Sequence, residues 1–361
     1  MLSLKRLIIT QFKNYSYSDF EFSENIVGIS GPNGIGKTNI LDAIYYCCLT
    51  KSYFSSTEQL NIKFNFEGFR LEGNFNLNNN DKTVVCIYRN QKKEISLNGN
   101  IYEKVSSHIG LLPAVMITPG DISLINEGSE IRRRFLDALI SQINKEYLIS
   151  LLKYNRLIQQ RNSLLKSWNV NADAELLDVI DEQLLKPAEY IFNERALFLK
   201  NIIPIIQEVH SQIASGEAIV DIRYSSQLSN ENFKDLLRQS RNKDVQLQRT
   251  TTGVHKDDLL FYLQEGTFKN IASQGQKKSL LFALKLAEYK YILSQKDACI
   301  LLLDDVFEKL DEQRIENLMK IVCSGKKGQV FITDTHSERL TKAISSVTKN
   351  FQLVELGNIS E

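Results

Sequence analysis

Two hydrophobic periods alternate along this chain, and the places where one gives way to the other divide it into three stretches. Over residues 4–9 apolar and polar positions alternate, which predicts an edge-forming strand, and 12–23 (FKNYSYSDFEFS) continues as a second extended stretch. An apolar strand closing over 27–30 follows, and TNILDAIYYCC at 38–48 changes to helical spacing. From 69 to 102 alternation returns, with turn signals at 78–81 and at Asn98-Gly99, the latter a type I′ hairpin pair, so an antiparallel meander is expected. The apolar run 114–117 reads as a further strand, and Thr118-Pro119-Gly120-Asp121 after it suits the start of a helix.

Helical periodicity then takes over. Phe135, Leu136, Leu139, Ile140 and Ile143 make one apolar stripe, and the spacing resumes over 147–165 and 172–213, where Pro187 and Pro204 are expected to kink or divide the helix. No sustained heptad with charged e and g positions runs through this stretch, so it predicts a helical arm and not a long coiled coil. Alternation reappears over 217–224, a polar helix follows over 233–241, and TTTGVHKDDLLFYL brings the sheet back. An apolar-periodic helix over 280–293, a buried run over 299–303, and strands over 329–333 and 351–356 complete a strand–helix alternation. The expected fold class is α/β, a mixed sheet with an antiparallel β subdomain built from both chain ends (1–120 and 251–361), with an inserted α-helical arm over 121–250.

Composition narrows this only a little. With 361 residues and 43% of them hydrophobic, the chain can bury a sizeable core, as two domains or one domain with an insertion. A net charge of +1 does not mark a nucleic-acid binder, although it leaves local basic patches open. Five scattered cysteines, Cys47, Cys48, Cys86, Cys299 and Cys323, have neither metal-ligand spacing nor a disulfide framework, and read as reduced core thiols. Basic residues interrupt the short apolar run at the N-terminus, unlike a signal peptide, and no segment approaches the ~20 apolar residues of a membrane span. A cytoplasmic protein with no membrane partner is expected.

Chemistry enters at residues 31–38, GPNGIGKT, which match G-x-x-x-x-G-K-[ST] at every fixed position between a strand and a helix. Gly31, Gly34 and Gly36 permit close backbone approach, Lys37 reaches terminal phosphates, and Thr38 offers a hydroxyl to Mg²⁺. With Pro32, Asn33, Ile35 and Asn39 these residues form the expected ATP cradle. In CILLLDD, 299–305, an apolar strand ends in two carboxylates where α/β sheets bind ligands: Asp304 would hold Mg²⁺ and Asp305 would orient or deprotonate the attacking water. Such a pair alone is more often a helix cap, and only the phosphate loop reverses that reading. Ser273, Gly275 and Gln276 open the helix over 280–293 as a second helix-start anion site, which one chain cannot easily turn on the same nucleotide. Arg132, Arg133 and Arg134 form the clearest basic cluster, either DNA-phosphate contacts or a solvated helix face with one arginine buried in an ion pair. His255 reads as structural or as lining a nucleotide or DNA surface, and Trp168, the single tryptophan, as a partner contact or packing on the arm.

The order of phosphate loop, long insertion, S-x-G-Q helix start and apolar strand with Asp-Asp then Leu310-Asp311 resembles the ABC-type ATPase heads of chromosome and repair proteins. More narrowly, FKNY, GPNGIGKTNILDAIYY, PGDISLINEGSEIRRRFLD, TTGVHKDDL, SQGQKKSL and LLLDDVFEKLDEQRIENL are similar to the RecF family of recombination mediators, across nearly the whole chain. This resemblance implies an ATP-dependent homodimer, two nucleotides being sandwiched between the phosphate loop of one subunit and Ser273, Gly275 and Gln276 of the other. It assigns Asp304 to Mg²⁺, Asp305 and Lys37 to catalysis, and Asp311 to coupling the two sites. It also implies duplex DNA beside single-strand gaps, slow hydrolysis for release, and RecR and RecO as partners in loading recombinase.

The chain departs from the family pattern at Glu130, Val254, Lys256, Glu308-Lys309 and Phe54, the last standing where arginine is expected. Asp334 follows Thr333 where transporter heads carry a switch histidine, and His336 lies two residues on. Another P-loop ATPase, a P-loop kinase, or a chromosome-tethering head remain the alternatives.

Overall fold

The computed structural model describes residues 1–167, 170–214, 218–309, 312–323 and 328–357. They fall into two compact units, one of Met1–Asp121, Val209–Ser215 and Phe282–Glu361, the other of Ile122–Glu208 and Gly216–Leu281.

The first unit holds an antiparallel sheet of β1 (Leu2–Phe12), β2 (Tyr15–Glu21), β4 (Gly68–Leu77), β5 (Asn80–Arg89), β6 (Lys92–Leu97) and β7 (Asn100–Ile101), in the order β2-β1-β4-β5-β6-β7. β1 is not the expected edge strand: Leu7 pairs with Phe20 on one side and with Gly73 on the other. Alternation reports one buried face, which inner and edge strands of an antiparallel sheet share, and here the second partner lies far along the chain. A register shift between Leu4 and Arg6 moves the buried phase from Leu2 and Leu4 to Leu7 and Ile9, as one extra residue in a strand must. Turns fall at Asn78-Asn79 and Asn98-Gly99 as their residue types direct, all four with positive φ. A third, at Asn90-Gln91 (φ 52° and 58°), carries only half of that signal because glutamine seldom adopts this conformation.

A second, all-parallel sheet has the order β14-β3-β13-β12-β8, from β3 (Ile26–Ser30), β8 (Ala114–Ile117), β12 (Cys299–Leu303), β13 (Gly328–Asp334) and β14 (Gln352–Glu355). Four of its five strands are buried at every residue, which is why β8 and β12 read as unbroken apolar runs, while β13 also buries the polar Gln329, Thr333 and Asp334. α1 (Lys37–Leu49) joins the same core as residues of both sheets and is apolar nearly all round, the pattern of a helix with no solvated face. Gln329 ties the sheets together: its Oε1 accepts from Leu4 N at 2.6 Å and its Nε2 donates to Leu4 O at 3.2 Å.

The second unit contains α2 (Ser123–Asn126), α3 (Ser129–Ile143), α4 (Lys145–Lys166), most of α5 (Val170–Ile213), α6 (Phe233–Leu247) and α7 (Phe268–Ile271). A small antiparallel sheet, β11-β10-β9, is formed by β9 (Val220–Ser225), β10 (Asp258–Leu263) and β11 (Gly266–Thr267). α8 (Gln274–Lys296) carries residues of both units, and α9 (Glu312–Cys323) and α10 (Ser337–Ser345) belong to the first.

Two expectations change here. Pro187 and Pro204 do not divide α5, which runs unbroken for 44 residues; each proline deletes one helical hydrogen bond, while buried Ala188, Ile191, Ile202 and Ile206 hold the surrounding turns. Residues 251–281, expected with the C-terminal part of the head, cluster with the helical unit. The cause is long-range pairing: β10 takes β9 as its partner from Asp258↔Ser225 to Leu263↔Val220.

Candidate nucleotide-binding site

The phosphate loop connects the C-terminal end of β3 to α1. Gly34 has φ +80° and Gly36 φ +116°, and a Cβ on Gly36 would come within 2.7 Å of Asn14 Nδ2 and Tyr15 Oη. α1 has no side-chain cap, and while Asn39 N donates to Gly36 O (2.9 Å), the N–H groups of Lys37 and Thr38 face the loop on the positive end of the helix dipole, where a ligand can take them. Lys37 is 4% exposed, and its Nζ donates to the carbonyl oxygens of Gly31 (2.8 Å) and Pro32 (3.1 Å), so the cation spans the loop. Pro32 and Asn33 form the exposed tip. Ile35 and Asn39 are fixed through Asn14, whose Nδ2 donates to Ile35 O (2.9 Å) and whose Oδ1 accepts from Asn39 Nδ2 (2.7 Å). Tyr15 Oη donates to Gly36 O at 3.2 Å. FKNY at 12–15 therefore buttresses the loop from β1 and β2, a role that spacing alone did not disclose.

Thr38 and Asp304 meet across the sheet, Thr38 Oγ1 lying 2.9 and 3.0 Å from the two carboxylate oxygens. Parallel register places them there: β13 pairs with β3 and with β12, aligning the carboxyl ends of all three strands. Thr333, at the end of β13 and fully buried, donates to Asp304 Oδ1 at 2.9 Å and accepts from Asp305 N at 2.9 Å. Burial pushes the Asp304 carboxyl up to about 6, against the opposing pull of the Thr38 and Thr333 hydroxyls. Asp305 sits at φ 44°, a left-handed conformation uncommon for a residue with a Cβ, at the position expected to be catalytic. A hydroxyl and a carboxylate in contact are hard oxygen donors of the kind Mg²⁺ takes, so Thr38 and Asp304 fit that ion.

The remaining expected residues are dispersed. Ser273, Gly275 and Gln276 belong to the second unit, where Ser273 Oγ accepts from Gln276 N (3.2 Å) and Gln276 Oε1 accepts from Ser273 N (2.8 Å), a capping box at the start of α8. Asp311 and Trp168 lie outside the described residues. Arg132 does not fit a DNA contact: it is 9% exposed, its Nε and Nη2 donate to Asp258 (2.7 and 2.9 Å), and its Nη1 donates to Leu124 O and Glu127 O. Its donors are committed to the fold. Arg133 is half-buried and donates to Asp257 O at 2.6 Å, whereas Arg134 is exposed and pairs with Glu130 one turn away. His255 is structural, its Nδ1 2.7 Å from Tyr154 Oη and its Nε2 3.2 Å from Thr250 O, and burial lowers it to about 4. Asp334 is buried against Arg339, and its Oδ1 accepts from His336 N.

Residues 3–355 match the family model described as the RecF/RecN/SMC N terminal domain. The DNA replication and repair protein RecF of Flavobacterium johnsoniae is 41% identical over 98% of this chain and 100% of its own length, and that of Phocaeicola vulgatus 38% identical over 99% and 98%. The chain belongs to the RecF family. A solved structure of the recombination mediator protein RecF with ATP, in the RecFOR pathway, superposes at a TM-score of 0.86 with 30% identity, covering 93% of this chain and 92% of that one. The Smc head domain of Pyrococcus furiosus, at a TM-score of 0.57 and 16% identity, shares the fold alone. The architecture is the ABC-type ATPase head with an antiparallel sheet and a parallel sheet.

Against the RecF family pattern, Phe54 replaces an expected arginine, and its ring lies 5.1 Å from Lys13 Nζ. Lys13 in turn pairs with the buried Asp42 of α1 (2.5 Å), which also accepts from Ser52 Oγ and Tyr53 N (both 2.7 Å). The one carboxylate in the apolar run NILDAIYY signals this anchor. Among the described residues no helix is long and apolar enough to cross a membrane.

Proposed function

We propose that the protein is an ATP-dependent DNA-binding clamp: ATP closes a homodimer on DNA near single-strand gaps, the closed state promotes recombinase loading with RecR and RecO, and slow hydrolysis releases it. The observation that carries the reading is the junction of Thr38 with Asp304, which joins the phosphate loop to the end of β12 in one site. Lys37 and the loop amides would hold the phosphates, and Thr38 and Asp304 would hold Mg²⁺. When bound, Mg²⁺ neutralises charge on the terminal phosphates. Asp305 orients the attacking water and accepts its proton, and Thr333 fixes the backbone that presents it.

The second half of the site comes from the other subunit in this proposal. Ser273, Gly275 and Gln276 offer a helix N-terminus to an anion, and Asp311 couples the two sites. Relatives named for DNA replication and repair, and a solved RecF with ATP, support the assignment of substrate and process.

Sedimentation of the wild type with ATP, with ADP and without nucleotide tests the clamp. ATP dimerises the wild type, Lys37→Ala stays monomeric, and Asp305→Asn accumulates the dimer. A wild type that stays monomeric with saturating ATP and DNA contradicts the proposal.

A further inference from the structure

The second unit carries a group of cations that the nucleotide site does not use. α6 ends where Gln248 adopts φ 53° and Arg249 N donates back to Asp244 O at 3.1 Å. His255 brings its Nε2 to 3.2 Å from Thr250 O, folding the loop upon itself so that Lys256 returns beside Arg249. Arg133 reaches the same place from α3 through its 2.6 Å bond to Asp257 O. Arg249 and Lys256 are exposed and Arg133 half-buried, while Thr250, Thr252, Val254 and Asp257 of the same loop are buried. The cations therefore stand on a fixed frame.

The neighbouring carboxylates point the other way. Asp244 is taken by Arg161 and Thr251, Asp257 by Arg195 and Tyr224, and Asp258 by Arg132; Asp137, which also acts on Arg133, pairs with Arg195. Among the described residues none of Arg133, Arg249 and Lys256 has a carboxylate at ion-pair distance. Burial, followed by the charges of Arg249 and Arg133, holds Lys256 below the ordinary lysine value. An anion in front of the three would relieve that repulsion.

We propose that Arg133, Arg249 and Lys256 form a phosphate-binding cluster that takes the sugar-phosphate backbone of DNA. The inference rests on the DNA-binding reading above, and it replaces the contiguous Arg132–Arg134 run with residues gathered from two distant parts of the sequence. Arginine and lysine without a base-reading partner suit backbone contact, which positions a duplex and carries no sequence preference. The phosphate of a nucleotide offers the same chemistry, so the test separates the two sources.

Arg249→Gln with Lys256→Gln in the full chain, and Lys256→Gln alone, leave Arg133 and its bond to Asp257 in place. Binding of a gapped duplex is followed by fluorescence anisotropy with ATP at several salt concentrations, beside ATP affinity and melting temperature. The double variant is expected to bind DNA roughly tenfold or more weakly, with a salt slope smaller by about 2, each lost phosphate contact removing about 0.9. Its ATP affinity and melting temperature stay at wild-type values, and Lys256→Gln alone lowers the slope by about 1. Wild-type DNA affinity and slope in both variants overturn the cluster, as does weaker ATP binding with DNA binding intact. A wild type that dimerises with ATP yet binds no DNA overturns the cluster together with the DNA reading, while ATP-driven closure stands on its own measurement.

Discussion

Thr333→Val removes one hydroxyl from a fully buried position while keeping its shape, and the cost follows from what that hydroxyl touches. It donates to Asp304 Oδ1 and accepts from Asp305 N, both at 2.9 Å. A hydrogen bond to a charged group contributes about 1.5–3 kcal/mol, and a buried donor left unmet costs about 1–3 kcal/mol. The two effects fall on neighbouring groups and share relaxation, so about 3 kcal/mol is expected in total. For a domain of this size that lowers the melting temperature by roughly 6–12 °C. Thermal unfolding followed by circular dichroism, without nucleotide, measures it, with Thr333→Ser as the control that keeps the hydroxyl. Mg²⁺-dependent ATP binding should weaken in Thr333→Val and persist in Thr333→Ser. If Thr333→Val melts with the wild type, Thr333 does not position the two aspartates and the account of the site is wrong.

Other consequences follow from named contacts. Arg132→Gln leaves the Asp258 carboxylate without its cation, with only Leu259 N still donating to it, and two carbonyls without their donor, and should destabilise by roughly 3 kcal/mol, whereas Arg134→Gln, at an exposed pair, should stay within about 0.5 kcal/mol; chemical denaturation of both variants checks the contrast. His255 is held at about 4 in the folded protein, below its ordinary 6.5, so the unfolded chain binds the extra proton between those values. Its neutral form is compatible with the full stability above pH 6.5, and up to about 3 kcal/mol is lost as pH falls toward 4. His255→Gln should flatten that acid limb in urea unfolding at pH 7 and pH 4.5. Gly36→Ala forces a Cβ onto Asn14 and Tyr15 at φ +116° and should abolish ATP binding in a calorimetric titration.

What was legible in the sequence divides along physical lines. Local chemistry was: the phosphate loop, the Asn98-Gly99 turn, the buried strands of the parallel sheet and the helix start at Ser273 are each specified by residues a few positions apart. Long-range pairing was not. Nothing in 4–9 says that β1 will acquire β4 as a second neighbour, and nothing in 258–263 says that it will choose β9 and cluster with the second unit. The same limit governs the site. Thr38 and Asp304 were each assigned by motif, but Thr333, Asn14 and Tyr15 act through parallel register and through packing against the loop, which no local pattern records. Three consecutive arginines looked equivalent in one dimension, and one helical turn gives them three environments: buried ion pair, half-buried carbonyl contact and exposed rim.

The central claim, that each nucleotide site is completed by a second copy, is tested most directly by mixing two inactive variants. Lys37→Ala lacks the phosphate-loop cation but keeps Ser273, and Ser273→Arg blocks the helix start but keeps Lys37. Pairing between them creates one intact site in each mixed dimer, and only mixed dimers have a site on which ATP can close, so the mixture should recover ATP hydrolysis up to about half of the wild-type rate, one of the two sites in each two-fold dimer being dead. Activity in the mixture no greater than the sum of the two variants alone would place both elements in the same subunit's site and contradict the clamp.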